Sequence, residues 1–266
     1  FWMLTLLVCC VLFVCLYNLS QWFHYINRIS LLYICIFLHA IECCITLIPS
    51  WLSCNGADLV FHTFKYWTLW TGVKVEVRGF DEHLARLEGP AVIVCNHQSV
   101  MDVVAMTRVW PPRGTVLMKK SLKYVPFFNL SSILANAVFV DRFNHSRAMN
   151  TLNRCVEQLV KYNLKLWIFP EGTRNRGIGM LPFKKGVFNI AVRGGFPVIP
   201  IVFSNYRPFY SKSDRYFKSD GEVIAQVVRP VNTKELSEAD VPKLTEKVRT
   251  SMLDVYHRIS LEAEEK

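Results

Sequence analysis

Apolar positions divide this chain into two regimes. Up to residue 52 they run almost without interruption, and beyond it they come in short blocks separated by polar turns. Residues 1–19, FWMLTLLVCCVLFVCLYNL, carry no formal charge. As a helix they would reach roughly 28 Å, about the thickness of bilayer hydrocarbon. A second apolar stretch, LLYICIFLHAIECCITLIPSWL at 31–52, contains His39 and Glu42. These weaken it as a span, because an acid inside a membrane needs a partner or a wet cavity. The pattern predicts a hydrophobic N-terminal helical membrane anchor over 1–52, either two full spans or a hairpin in one leaflet, with Glu42 favouring the hairpin. Nothing marks 1–19 as a cleaved signal peptide: it lacks a basic start and a small-residue cleavage site. The chain begins with Phe, so residues ahead of it are expected.

After a link at 53–66, strand-like and helix-like segments alternate through residues 67–266. VKVEVRG (73–79) alternates in and out. PAVIVCN (90–96), AVFVD (137–141), KLWIFP (165–170) and PVIPIVF (197–203) are short apolar runs of buried-strand type. Between them, SVMDVVAMTRVW (99–110) reads as a helix with Ser99 as N-cap and Asp102 in its first turn. A second helix, 145–162, places Met149, Leu152, Val156 and Leu159 at three- and four-residue spacings. The tail from Ser237 to Ala263 repeats apolar residues at Val241, Leu244, Val248, Met252, Val255 and Ile259, an amphipathic helix expected to pack on the core. Apolar strands alternating with helices imply an α/β fold, a mostly parallel mixed sheet flanked by helices. The loops after strand ends, 96–99, 141–147 and 170–186, are then the natural places for chemistry.

Charge narrows the partners. The chain has 31 basic and 21 acidic residues, a net +10, yet residues 1–60 hold only Arg28, Glu42 and Asp58. A basic domain tied to a membrane suits anionic headgroups or anionic substrates. Nucleic acid is not expected, since an apolar anchor adds nothing to its binding and no motif for it is present. Seven of nine cysteines fall in residues 1–54, leaving Cys95 and Cys155 in the rest. That is neither a disulfide framework nor metal-ligand spacing, so no metal is expected, and the domain suits a reducing compartment.

Three stretches carry candidate chemistry. In VCNHQSVMD (94–102) His97 stands at a strand mouth and Asp102 five positions on. A turn can bring that carboxylate back to the imidazole, where it would fix the tautomer and stabilise the imidazolium; alone, the spacing is equally ordinary helix capping. In FPEGTRNRG (169–177) Gly172 lets backbone approach a ligand, Thr173 offers a hydroxyl and Arg174 a planar fork for phosphate, with Glu171 placed to hold the arginine. FKKG (183–186) adds Lys184 and Lys185. In ANAVFVDR (135–142) a strand ends in Asp141-Arg142 just before a helix, where anions are held. No G-x-S-x-G elbow is present, and Cys95, inside an apolar strand, reads as a packed inert thiol.

Taken in order, NHQSVMD, VFVDR, FPEGTR and VIPIV resemble the glycerolipid acyltransferases, specifically the 1-acylglycerol-3-phosphate (lysophosphatidic acid) acyltransferase family, over roughly residues 60–260. The family's H-x4-D falls on His97 and Asp102, and its E-G-T-R on Glu171, Gly172, Thr173 and Arg174. Its G-x-x-F-[IV]-D-R block falls on Phe139 to Arg142, with Asn136 in place of the usual Gly. The resemblance implies acyl transfer from acyl-CoA, a co-substrate and not a cofactor, to the sn-2 hydroxyl of lysophosphatidic acid. His97 would be the general base and Asp102 its orienter. Glu171, Gly172, Thr173, Arg174, Arg142 and Lys184 would form the phosphate site. It also implies a membrane protein of the endoplasmic reticulum with its catalytic domain on the cytosolic side. Another lysophospholipid or glycerol 3-phosphate as acceptor, a membrane lipid hydrolase using the same dyad, and an inactive lipid-binding module are the competing readings.

Overall fold

The computed structural model describes residues 2–49, 56–140 and 145–265. Its centre is a seven-stranded sheet built from β1 (Lys74–Arg78), β2 (Ala91–Cys95), β3 (Gly114–Lys119), β4 (Val138–Val140), β5 (Lys165–Ile168), β6 (Val198–Phe203) and β9 (Glu222–Val227), in the order β1-β9-β6-β2-β5-β3-β4. All neighbouring pairs are parallel except β6 and β9, so the sheet is the mostly parallel, mixed one that the pattern predicts. A two-stranded hairpin, β7 (Tyr210–Ser211) with β8 (Tyr216–Phe217), lies outside it.

The central strands β2, β5 and β6 are buried at every residue, because helices cover both faces. Side-chain alternation divides the core accordingly. Val92 and Val94 join Leu166, Ile168, Val198 and Val202 on one face. There they meet α6 (His145–Tyr162) through Cys155 and Leu159, and α7 (Gly186–Gly194) and α8 (Val241–Glu264) through Phe188 and Met252. Ala91, Ile93 and Cys95 point the other way, with Trp167, Ile199 and Phe203, against α4 (Asp102–Val109). In α8 five of the six apolar positions read from the sequence are buried in this core and Val255 packs partly against it, so the tail helix is structural.

Two elements depart from the expectation. Residues 53–66, expected as a link, contain most of α3 (Gly56–Trp67), a helix that belongs to the domain. Its Phe61 stacks on Trp110 at 3.8 Å between ring centroids. Its Asp58 accepts from Trp110 Nε1 at 2.9 Å, Arg113 N at 2.7 Å and Gly114 N at 3.0 Å, closing off the start of β3. The helix α4 begins at Asp102 rather than just after Ser99; Ser99 Oγ caps only a turn, accepting from Met101 N at 3.0 Å.

The N-terminal apolar stretches form α1 (Trp2–Leu19) and α2 (Gln21–Thr46), both long and apolar enough to cross a membrane. No residue of α1 is buried. By contrast α2 lays one face along the domain: Tyr25, Arg28, Leu32, Cys35, His39 and Cys43 are buried, at helical spacing. The Arg28 guanidinium donates to Thr71 O at 2.6 Å and lies 4.4 Å from the Phe217 ring centroid and 5.3 Å from that of Trp70. Both polar residues of the second stretch have found partners: Glu42 Oε2 accepts from Trp67 Nε1 at 2.8 Å, and His39 Nε2 bonds Thr63 Oγ1 at 2.8 Å.

Candidate active site

The three neighbouring parallel strands β6, β2 and β5 end on the same edge, and the loops leaving them meet there, the crevice in which open α/β sheets bind ligands. Beyond β2, Asn96 turns its side chain onto β6, accepting from Phe203 N at 2.8 Å and donating to Phe203 O at 2.9 Å. Gln98 Nε2 donates to Ser204 O at 2.9 Å. These bonds lock the segment that carries His97.

His97 Nδ1 donates to Asp102 Oδ2 at 2.6 Å, and the same oxygen accepts from Gln98 N at 3.0 Å and Ser99 N at 3.1 Å. The late start of α4 has its cause here, since the carboxylate is drawn back over the loop. Asp102 is 1% exposed and His97 20%. The imidazole also stacks on Phe169, 4.1 Å between centroids. With Nδ1 occupied, Nε2 is the basic nitrogen of the tautomer.

The 171–175 loop grips the same histidine by its backbone. Glu171 Oε1 accepts from His97 N at 2.7 Å and Asn175 N donates to His97 O at 2.7 Å. The other oxygen, Glu171 Oε2, accepts from Leu181 N at 2.8 Å. Burial pushes the Glu171 carboxyl above its ordinary range, an effect opposed by the two N–H donors. This corrects the expected role of Glu171. Among the described residues its two oxygens are taken by backbone N–H groups rather than by Arg174; it is buried and ties the histidine loop to the 180s segment. Thr173, Arg174 and Lys184 are exposed on the surface of this loop cluster. Gly172 has φ of +72°, and a Cβ there would meet Lys184 Cε and Nζ at 2.7 Å, so the lysine lies directly across the glycine. Arg142 and Asp141 lie outside the described residues. Asn136, standing where the motif has Gly, sits at φ of +57°, a left-handed conformation that asparagine tolerates better than most residues.

His97, Gly172 and Lys184 line a cavity of about 750 Å³. Its walls are apolar: Met106 from α4, Phe61 and Phe64 from α3, Ile36 and Ala40 from α2, and Phe128 and Ala135 from and beside α5 (Phe128–Leu134). Sequence reasoning missed this cavity, as well as Phe169 and Asn175. The polar residue His39 within an apolar stretch was its one outward sign. Among the described residues no group of three His, Cys, Asp or Glu side chains is placed to hold a metal ion.

An imidazole paired with a carboxylate at the strand ends, a basic glycine-containing loop beside it and a deep apolar cavity make up the site. The acyltransferase family profile matches residues 74–204, from β1 through both motifs to the end of β6. The Caenorhabditis elegans protein acl-2, provisionally named a 1-acyl-sn-glycerol-3-phosphate acyltransferase, is 49% identical over 266 residues, all of this chain and 94% of its own length. The mouse 1-acyl-sn-glycerol-3-phosphate acyltransferase alpha is 41% identical over 71% of this chain and 66% of its own. The Saccharomyces cerevisiae 1-acyl-sn-glycerol-3-phosphate acyltransferase is 37% identical over 80% and 67%. The chain belongs to the 1-acylglycerol-3-phosphate acyltransferase family of glycerolipid acyltransferases. The fold agrees with that of the crystal structure of PlsC, the 1-acyl-sn-glycerophosphate acyltransferase of Thermotoga maritima, with a TM-score of 0.57, 24% identity and coverage of 93% and 94% of the two chains.

Proposed function

We propose that the protein transfers the acyl group of acyl-CoA to the sn-2 hydroxyl of 1-acyl-sn-glycerol 3-phosphate, giving phosphatidic acid and free CoA. The observation that carries this reading is the 2.6 Å bond to Asp102 from His97, a residue that lines the apolar cavity. An alcohol is a poor nucleophile until a base takes its proton. His97 Nε2 removes the proton as the hydroxyl oxygen attacks the thioester carbonyl carbon, and Asp102 stabilises the imidazolium. The tetrahedral intermediate collapses by breaking the carbon–sulfur bond, and the imidazolium returns its proton to the departing CoA sulfur. Arg174, Thr173, Lys184 and the Gly172 backbone, with Arg142, hold the acceptor phosphate and so align its hydroxyl with Nε2. The cavity takes the acyl chain of the donor. The reaction uses no cofactor, acyl-CoA being a co-substrate.

Both lipids are amphiphiles, and α1 and the outer face of α2 supply the membrane contact, seating the site at the bilayer surface. A substrate can then enter sideways without exposing its chain to water, at about 0.8 kcal/mol per CH₂. We place the protein in the endoplasmic reticulum membrane with the domain on the cytosolic side. The experiment is an assay of membranes carrying the protein, with labelled oleoyl-CoA and a panel of acceptors. Label should enter phosphatidic acid with lysophosphatidic acid as acceptor, and His97→Ala should lower turnover by ~10²–10⁴-fold. Label released only as free fatty acid would make the protein a hydrolase and overturn the proposal.

A further inference from the structure

The dyad has a side that the reaction described above does not use. Asp102 Oδ2 takes three donors, whereas Oδ1 is buried with no hydrogen bond in strict geometry among the described residues. A buried carboxylate oxygen left in that state is costly. The hydroxyl of Tyr206, on a residue 3% exposed, is likewise buried and outside bonding geometry with any partner among the described residues, and Asp102 is its nearest charged neighbour. Tyr206 lies just beyond β6, whose end is stapled to the dyad loop through Asn96 and Gln98. Its own backbone carbonyl is fixed by Phe209 N at 3.0 Å and Tyr210 N at 2.7 Å.

We infer that Tyr206 is a positioning residue of the dyad, its phenolic hydroxyl serving as the donor to Asp102 Oδ1. Burial first, and the neighbouring Asp102 charge second, push the phenol well above its ordinary value, which keeps it a donor. Its other titratable neighbours are Cys95 and Tyr256, both pushed upward by burial and so uncharged. Around the carboxylate the remaining titratable groups are His97 and Glu171. The Tyr206 hydroxyl acts on the Asp102 carboxylate but stands just outside strict bonding geometry; hydrogen bonds of catalytic groups commonly tighten only in the complex. A donor on Oδ1 fixes the rotation of the carboxylate so that Oδ2 addresses His97 Nδ1. It also withdraws charge from Oδ2.

The inference rests on His97 and Asp102 being the catalytic pair, and the test separates the two. In Tyr206→Phe, kcat should fall about tenfold with KM for both substrates unchanged. The acid limb of its kcat/KM profile should move to higher pH, because an unbonded carboxylate stabilises the imidazolium more strongly. In an Asp102→Asn background the same change should cost less than about twofold, since the carboxylate on which it acts is gone. That comparison also cancels any loss of fold common to both. An unmoved pH profile, or a loss in the Asn background equal to that in the wild type, would reduce Tyr206 to packing and overturn the inference. An Asp102→Asn enzyme with wild-type turnover would overturn the dyad reading itself, and Tyr206 with it.

Discussion

Asp102→Asn isolates the charge of the dyad from its geometry. In many His–Asp pairs the amide can present its NH₂ to the ring and force the wrong tautomer. Here the position of Oδ2 is surrounded by three donors, His97 Nδ1 at 2.6 Å, Gln98 N at 3.0 Å and Ser99 N at 3.1 Å. Only an oxygen fits there, so the asparagine carbonyl takes the place of Oδ2, its NH₂ takes that of Oδ1, and His97 keeps its proton on Nδ1. What disappears is the attraction between carboxylate and imidazolium. At about 4 Å between charge centres and an effective dielectric near 20 this is ~4 kcal/mol, or roughly 10³ in kcat. The assay is initial-rate phosphatidic acid formation at saturating oleoyl-CoA and lysophosphatidic acid, with thermal unfolding followed alongside. KM values and melting temperature should stay near wild type. A loss below tenfold in a folded enzyme would refute the electrostatic role of Asp102.

Substitutions at three further positions test the geometry. Glu171→Gln can accept from only one of the His97 and Leu181 N–H groups, so turnover should fall about tenfold, read in the same assay. Because burial raises the Glu171 pKa, the folded protein binds this proton more tightly than the unfolded chain. Its contribution to stability therefore grows as pH falls through the raised folded value; thermal unfolding from pH 7 downward should show that gain in the wild type and lack it in the Gln variant. Ala40→Phe, on the cavity wall, should cut turnover of oleoyl-CoA at least tenfold while sparing octanoyl-CoA, and equal losses would remove the acyl chain from the cavity. Arg28→Ala should cost about 2–3 kcal/mol, seen as a lower melting temperature and faster proteolysis of the seam between α2 and the domain. Lys at this position should not rescue it, having no planar face to lay over Phe217 and Trp70.

The dyad was legible because its parts are close in sequence and lie just beyond a run of buried-strand character. His97 and Asp102 needed only a turn to meet. The 171–174 stretch was legible as a site loop, yet the task of Glu171 was not: nothing in the order of residues says that the N–H groups of His97 and Leu181 will point at its carboxylate. The helix α3 and the strands β3 and β9 were in fact readable: Ala57, Phe61 and Phe64 stand at the i, i+4, i+7 spacing of a helix, and Pro111-Pro112 and Asp220-Gly221 mark turns just ahead of the two strands. The cavity was beyond reach, since its walls come from α2, α3 and α5, which are apart in sequence and meet only when folded.

The helix α2 has two masters. One side is offered outward, while the other supplies Ile36, Ala40 and Cys43 to the apolar cavity and a guanidinium to the socket between Trp70 and Phe217. A soluble fragment cut free of residues 1–46 would therefore not be a tamed version of the enzyme. It would be a vessel with one wall missing, its oily lining open to water, and purification schemes or inhibitor screens built on such a fragment would be describing a different object.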